Sequence, residues 1–187
     1  MDITEKLLIE FVANAHRNQL RKYSNEPYYL HCIEVAKILE DSSISKSKEF
    51  QNIKFAAYMH DILEDTSTTE HDIRSFLKEL LLDTKDINSI IKMIRGVTKI
   101  SKREDGNREM RHKIDTKHLA SQDFNTKTIK LADILSNTKD IAEKDVEFAK
   151  IYLKEKLNVL DSIKQSCPIL WNLAYDRMSR TLKSIGE

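Results

Sequence analysis

Apolar residues recur at helical spacing from one end of this 187-residue chain to the other. No stretch shows the sustained apolar–polar alternation and β-branched enrichment that a strand would carry. Only three Gly and two Pro punctuate the pattern, so sharp turns are few and an all-α fold is predicted. The periodicity places helices at about 2–18, 28–41, 49–64, 69–82, 84–95, 108–121, 124–142, 144–165 and 169–185, with ends good to roughly two to four residues. Thr69 with Asp72 three positions later resembles a capping arrangement, Gly96 suits a left-handed position closing the helix before it, and Pro168 suits the first turn of the last helix.

No linker, low-complexity tract or 20–50-residue repeat divides the sequence. We expect a single domain over residues 1–187, built as a compact multi-helix bundle, with 168–187 as a C-terminal packing helix. A chain of this length can bury roughly 70% of its unfolded surface. Lys and Arg total 31 against 30 Asp and Glu, so overall charge points to neither nucleic acid nor a membrane surface. Residues 92–117 do carry a local basic excess, readable as a solvated face or as an anion-binding segment. It lacks a nucleic-acid-binding motif and interleaved aromatics, so no nucleic-acid partner is expected.

The acidic start Met1-Asp2-Ile3-Thr4-Glu5 does not read as a secretion signal, and no uninterrupted apolar run reaches the roughly 18 residues of a membrane span. Cys32 and Cys167 are too few and too far apart for a disulfide framework or a thiolate zinc site. A cytoplasmic protein is expected, and homo-oligomerisation is left open.

Three short stretches carry residues capable of chemistry. In Tyr58-Met59-His60-Asp61-Ile62-Leu63-Glu64-Asp65-Thr66 a helical wheel gathers His60, Asp61, Glu64 and Asp65 in one arc opposite Tyr58, Met59, Ile62 and Leu63. Alone this reads equally as a polar face in water. His31 shares a stripe with Val35 and Ile38, so it faces the interior, as a hydrogen-bonded core histidine or as a ligand. In Lys130-Leu131-Ala132-Asp133-Ile134-Leu135-Ser136-Asn137 the polar residues Lys130, Asp133 and Asn137 share one stripe, readable as a surface ion pair. Together His31, His60, Asp61 and Asp133 supply two imidazoles and two carboxylates from three helices. Such a mixed set suits Mn²⁺, Fe²⁺ or Zn²⁺, and a bound ion would neutralise carboxylates that are costly to bury.

The order His31, His60-Asp61, Asp133 resembles the H…HD…D pattern of HD-domain metal-dependent phosphohydrolases. The flanks Arg21-Lys22, Pro27-Tyr28, Ile62-Leu63-Glu64-Asp65-Thr66, Gly96-Val97-Thr98-Lys99 and Lys130-Leu131-Ala132-Asp133 with Asn137 are similar, from about residue 10 to 160, to the hydrolase domain of RelA/SpoT proteins. The resemblance implies one Mn²⁺ on His31, His60, Asp61 and Asp133, with Glu64 and Asp65 positioning or activating water. It implies a small-molecule nucleotide substrate, ppGpp or pppGpp, losing its 3′-pyrophosphate to give GDP or GTP. Arg21 and Lys22 match a pair that lies against guanine and phosphate; Lys130, Asn137 and Tyr152 match substrate-side positions, and Thr98 and Lys99 could meet a polyphosphate. Tyr152 also reads as a packed aromatic of a long helix.

Ile134 and Ser136 stand where the family commonly has Arg and His, and Asn18 where Gly is usual. These departures keep open another nucleotide, such as NADPH, as substrate. A nucleotide sensor without turnover is a further alternative.

Overall fold

Several of the long helices begin where a short polar side chain satisfies one of the first backbone amides, which would otherwise lack partners. Asp2 caps α1 (Ile3–Ala15), Asp83 caps α6 (Thr84–Val97), Asn107 caps α7 (Arg108–Ala120), and Asp123 caps α8 (Phe124–Asn137). Thr69 and Asp72 form the expected reciprocal capping box at the head of α5 (Glu70–Glu79). Pro168 opens α11 (Pro168–Ser184), where a missing N–H costs nothing. The computed structural model describes residues 2–187. No strand occurs among them; an isolated antiparallel bridge pairs Leu20 with Pro27.

The structure divides into two compact units, one ending at Thr98 and the other running from Lys99. In the first, α3 (Phe50–Tyr58) lies at the centre, packed against α1, α2 (Tyr29–Glu40) and α6, and its residues 55–58 are all buried. Cys32, Val35 and Leu39 of α2, Leu8 and Val12 of α1, and Ile90 and Ile94 of α6 complete this core. Phe11 stacks on Phe76 of α5, with ring centroids 4.1 Å apart. An ionic hub ties the same helices together: Lys54 pairs with Glu5 at 2.6 Å and with Glu40, while the Tyr58 hydroxyl donates to Glu5 Oε1 at 2.8 Å. Burial, and the need to keep its proton for Glu5, raise the Tyr58 phenol well above its ordinary range.

The second unit contains α7, α8, the short α9 (Ile141–Lys144), α10 (Val146–Ser162) and α11. Helix α8 is buried from Thr126 to Ser136 except at half-buried Lys130. The C-terminal helix packs on α8 and α10 through Leu170, Ala174 and Met178, and Arg177 donates to the Leu135 carbonyl at 2.9 Å. Trp171 stacks on Tyr175 with centroids 5.3 Å apart and donates from its indole to Leu160 O.

Two expectations need correction. Residues 49–64 do not form one helix: α3 stops at Tyr58 and α4 (Ile62–Asp65) starts after a turn at Met59, His60 and Asp61. The Ile62 amide bonds Met59 O, three residues back, and the His60 ring occupies Ala57 O, so the regular ladder cannot run through. Gly96 does not close α6 either. It is a buried helical residue, and the helix ends at Val97, with Thr98 returning its hydroxyl to Ile94 O at 2.8 Å.

Candidate metal centre

In the amino-terminal unit the break after α3 serves the site. His60 sits in it, 1% exposed, and its Nδ1 lies 2.8 Å from Ala57 O. A carbonyl only accepts, so Nδ1 carries the proton and the ring is oriented with Nε2 on its far side. That Nε2 is 2.9 Å from Asp61 Oδ2. His31, in the first turn of α2 and 2% exposed, brings its own Nε2 to 3.7 Å from the same oxygen. The two rings meet edge to face at 5.2 Å. Ring nitrogens converging on one carboxylate oxygen need positive charge there, from a ring proton or from a cation. Two imidazole nitrogens and a carboxylate are also the donors a first-row divalent ion prefers.

Asp61 is itself held: the Tyr28 hydroxyl donates to its Oδ2 at 2.7 Å, and the Tyr28 ring packs against His31 and against His16. One turn on, α4 carries half-buried Glu64 and exposed Asp65, whose amides both return to Asp61 O, at 3.2 and 2.9 Å. Gln19 donates to the Asp65 carbonyl while its Oε1 meets His16 Nδ1 at 2.7 Å, so a link from the end of α1 fixes the end of α4. Arg21 and Lys22 stand in the loop between α1 and α2, half-buried and exposed respectively; Arg21 N bonds Glu26 O at 2.8 Å and Lys22 Nζ donates to Tyr23 Oη at 2.9 Å.

In the second unit Asp133 lies on the buried α8, 5% exposed. Lys130 Nζ approaches its Oδ2 at 2.7 Å and Asn137 Nδ2 its Oδ1 at 2.5 Å, so the carboxylate is gripped from one turn before and one turn after. This is not the surface pair that spacing also allowed, because the Lys130 and Asp133 side chains are only 15% and 7% exposed. Tyr152 is half-buried on α10, its ring stacked on Phe148 and capped by Lys156 Nζ at 4.9 Å. Lys99 is exposed at the start of the unit. Ile134 and Ser136, the departures from the family pattern, are 0% and 2% exposed.

A family model described as HD domain matches residues 9–163. The chain belongs to the HD-domain family. An HD domain implies a divalent metal ion, and the donor set of His31, His60 and Asp61 fits one. Among relatives, the Danio rerio guanosine-3′,5′-bis(diphosphate) 3′-pyrophosphohydrolase MESH1 is 31% identical over 135 residues, covering 71% of this chain and 66% of that protein. The Drosophila melanogaster protein of the same name is 28% identical over 134 residues, with 71% and 66% covered. A Mycoplasma pneumoniae probable guanosine-3′,5′-bis(diphosphate) 3′-pyrophosphohydrolase is 28% identical over 149 residues, 76% of this chain but 19% of that one. This HD domain thus spans a fifth of the long relative and just under two thirds of the short ones. A solved structure, described under the words "A metazoan ortholog of SpoT hydrolyzes ppGpp and plays a role in starvation responses", matches all of this chain and 97% of its own with a TM-score of 0.78 at 21% identity. That likeness shows the same all-α fold. No helix among the described residues is long and apolar enough to cross a membrane.

Sequence reasoning assigned no role to Tyr28 or Gln19. Tyr28 lies three residues before His31, a spacing that could have signalled a shared helical face, but its bond to Asp61 spans 33 positions and no local pattern encodes it. We expect Tyr28→Phe to weaken binding of a divalent ion about 10-fold, the scale on which groups supporting a ligand act. Calorimetric titration with Mn²⁺ measures it, and unchanged affinity would show that the hydroxyl does not present Asp61.

Proposed function

We propose that this protein is a metal-dependent hydrolase that removes the 3′-pyrophosphate of ppGpp or pppGpp, giving GDP or GTP and pyrophosphate. The observation that carries the reading is the convergence of His31 and His60 Nε2 on Asp61 Oδ2, with Glu64 and Asp65 one helical turn away. In this reading Asp133 joins these three residues as the fourth ligand, Mn²⁺ is the ion, and the single HD domain covers 1–187 in the cytoplasm. The names of the relatives support the substrate, and the donor set supports the metal.

When bound, a divalent ion supplies Lewis acidity and a lowered pKa for coordinated water. The chain's own residues do the rest. Ala57 O fixes the His60 tautomer, so that Nε2 is the nitrogen presented. Glu64 and Asp65 orient the attacking water and accept its proton, a task open to any carboxylate within hydrogen-bond reach. Lys130 and Asn137 hold the Asp133 carboxylate, and Lys130 adds positive charge beside the developing phosphoryl charge. Arg21 and Lys22 stand in a loop tied across its base by the Leu20–Pro27 bridge and receive the guanine end of the nucleotide. Thr98, Lys99, Asn137 and Tyr152 complete the substrate contacts.

Ile134 and Ser136 were the reason to consider another nucleotide. Both are buried, so neither presents an exposed surface to substrate. The test is incubation of the purified protein and Mn²⁺ with ppGpp, pppGpp and NADPH in parallel, following pyrophosphate and phosphate release. We expect pyrophosphate from the guanosine polyphosphates at a rate orders of magnitude above a His60→Ala control. Release of phosphate from NADPH alone would transfer the reading to that nucleotide. Intact ppGpp recovered with bound metal would make the protein a sensor.

A further inference from the structure

Helix α4 has four residues, too few to satisfy its own last carbonyls, and Asp65 ends it. The Asp65 carbonyl accepts from Gln19 Nε2, 46 positions away in sequence. Gln19 is half-buried just beyond the end of α1, and all of its hydrogen-bonding groups are engaged. Its backbone N–H donates to His16 O at 2.9 Å, its backbone carbonyl accepts from Tyr28 N at 3.0 Å, and its Oε1 meets His16 Nδ1 at 2.7 Å. Tyr28 in turn holds Asp61, so Gln19 joins the ligand side of the site to the acid side.

These bonds fix which atom stands where. A backbone carbonyl only accepts, so the Gln19 amide is turned with Nε2 toward Asp65 and Oε1 toward His16. Oε1 also only accepts, so the buried His16 ring carries its proton on Nδ1. The other ring nitrogen, Nε2, is buried and has no hydrogen-bond partner among the described residues. The His16 ring therefore offers its surroundings two things: one N–H to Gln19, and a face against Tyr28, with ring centroids 5.0 Å apart.

We propose that His16 and Gln19 are positioning residues for hydrolysis: the His16 Nδ1–H sets the Gln19 amide, and the Gln19 amide sets the stretch of backbone that carries Asp65. The proposal rests on the hydrolase reading. Neither residue is a proposed metal ligand, water-activating acid or substrate contact, so both act through Asp65. The amides of Glu64 and Asp65 return to Asp61 O and anchor the start of α4, whereas Gln19 anchors its end. An acid that orients water tolerates little displacement, since a shift of about 1 Å can cost about 10²-fold in rate.

Kinetics with ppGpp and Mn²⁺, metal analysis and amide hydrogen exchange over residues 62–66 test this. Gln19→Met keeps the side chain's length and removes both polar groups. It should retain the metal and the wild-type KM, lower kcat about 10–10²-fold, and exchange residues 62–66 about ten-fold faster. Two substitutions at position 16 separate bonding from packing. His16→Asn places an amide N–H two bonds beyond Cβ, where Nδ1 stands, and loses the ring; His16→Phe keeps a ring against Tyr28 and loses the N–H. His16→Asn should rescue most of the wild-type kcat, and His16→Phe should fall with Gln19→Met. The reverse order would make His16 a packing residue and overturn the proposal. So would wild-type kcat and exchange in a Gln19→Met protein that circular dichroism shows to be folded. Wild-type protein that releases no pyrophosphate sinks the hydrolase reading by itself; in that case unchanged exchange in Gln19→Met removes the link to α4 as well, and faster exchange leaves the link standing.

Discussion

Asp61→Ala protein is expected to emerge from purification without its divalent ion and with ppGpp hydrolysis at background. The carboxylate lost is the point on which the histidines converge, 2.9 Å from His60 Nε2 and 3.7 Å from His31 Nε2. Removing a group that merely supports a ligand costs about 10–100-fold in metal affinity, and removal of the ligand itself should exceed that. Without Asp61, the two buried imidazoles lose the negative charge that favours a cation between them. The fold should survive, because Asp61 lies in the turn after α3 with a partly exposed side chain and packs no core. Metal analysis of the purified variant and pyrophosphate release are the readouts, with circular dichroism as the control. A folded Asp61→Ala protein that retains one equivalent of metal would remove Asp61 from the ligand set.

Glu64→Gln and Asp65→Asn should show the opposite split, full metal content with turnover lowered about 10²–10⁴-fold for whichever acid is the base. Both side chains keep their size, and neither lies closer than a helical turn to the ligand pair, so the ion should be undisturbed. The break at residues 59–61 separates the residues of the two proposed functions. His60 and Asp61 belong to the turn, where a ring can reach back to Ala57 O, whereas Glu64 and Asp65 belong to α4, whose amides return to Asp61 O. Gln19 holds the carbonyl of Asp65, which makes the end of α4 a defined platform for a carboxylate that is itself exposed. If both variants turned over ppGpp at the wild-type rate with metal bound, the water-activating group would lie elsewhere.

How far the sequence could be read depends on how local each feature is. The helical class, the Thr69–Asp72 capping box and Pro168 at a helix start rest on interactions spanning four residues or fewer, and each stands in the structure. His31 facing inward was legible for the same reason, since its stripe mates Val35 and Ile38 lie within two turns. The helix across residues 49–64 was misjudged because the wheel counts polarity and cannot register that the His60 ring takes Ala57 O, the carbonyl a continuing helix would give to the Asp61 amide. Gly96 was misread because composition signals a stop at glycine, while the apolar stripe of α6 continues through Val97 into the core.

By itself the sequence determined an all-helical chain, the positions of most helices, and the residue types on which the metal and phosphate chemistry is proposed to rest. Only the tertiary structure decided that His31 and His60 share one carboxylate oxygen, that Tyr28 holds that carboxylate, and that the stripe of Lys130 and Asp133 is buried rather than on the surface. Propensity and periodicity act over a few residues, whereas the bond from Tyr28 to Asp61 spans 33 positions and exists only once the helices have packed.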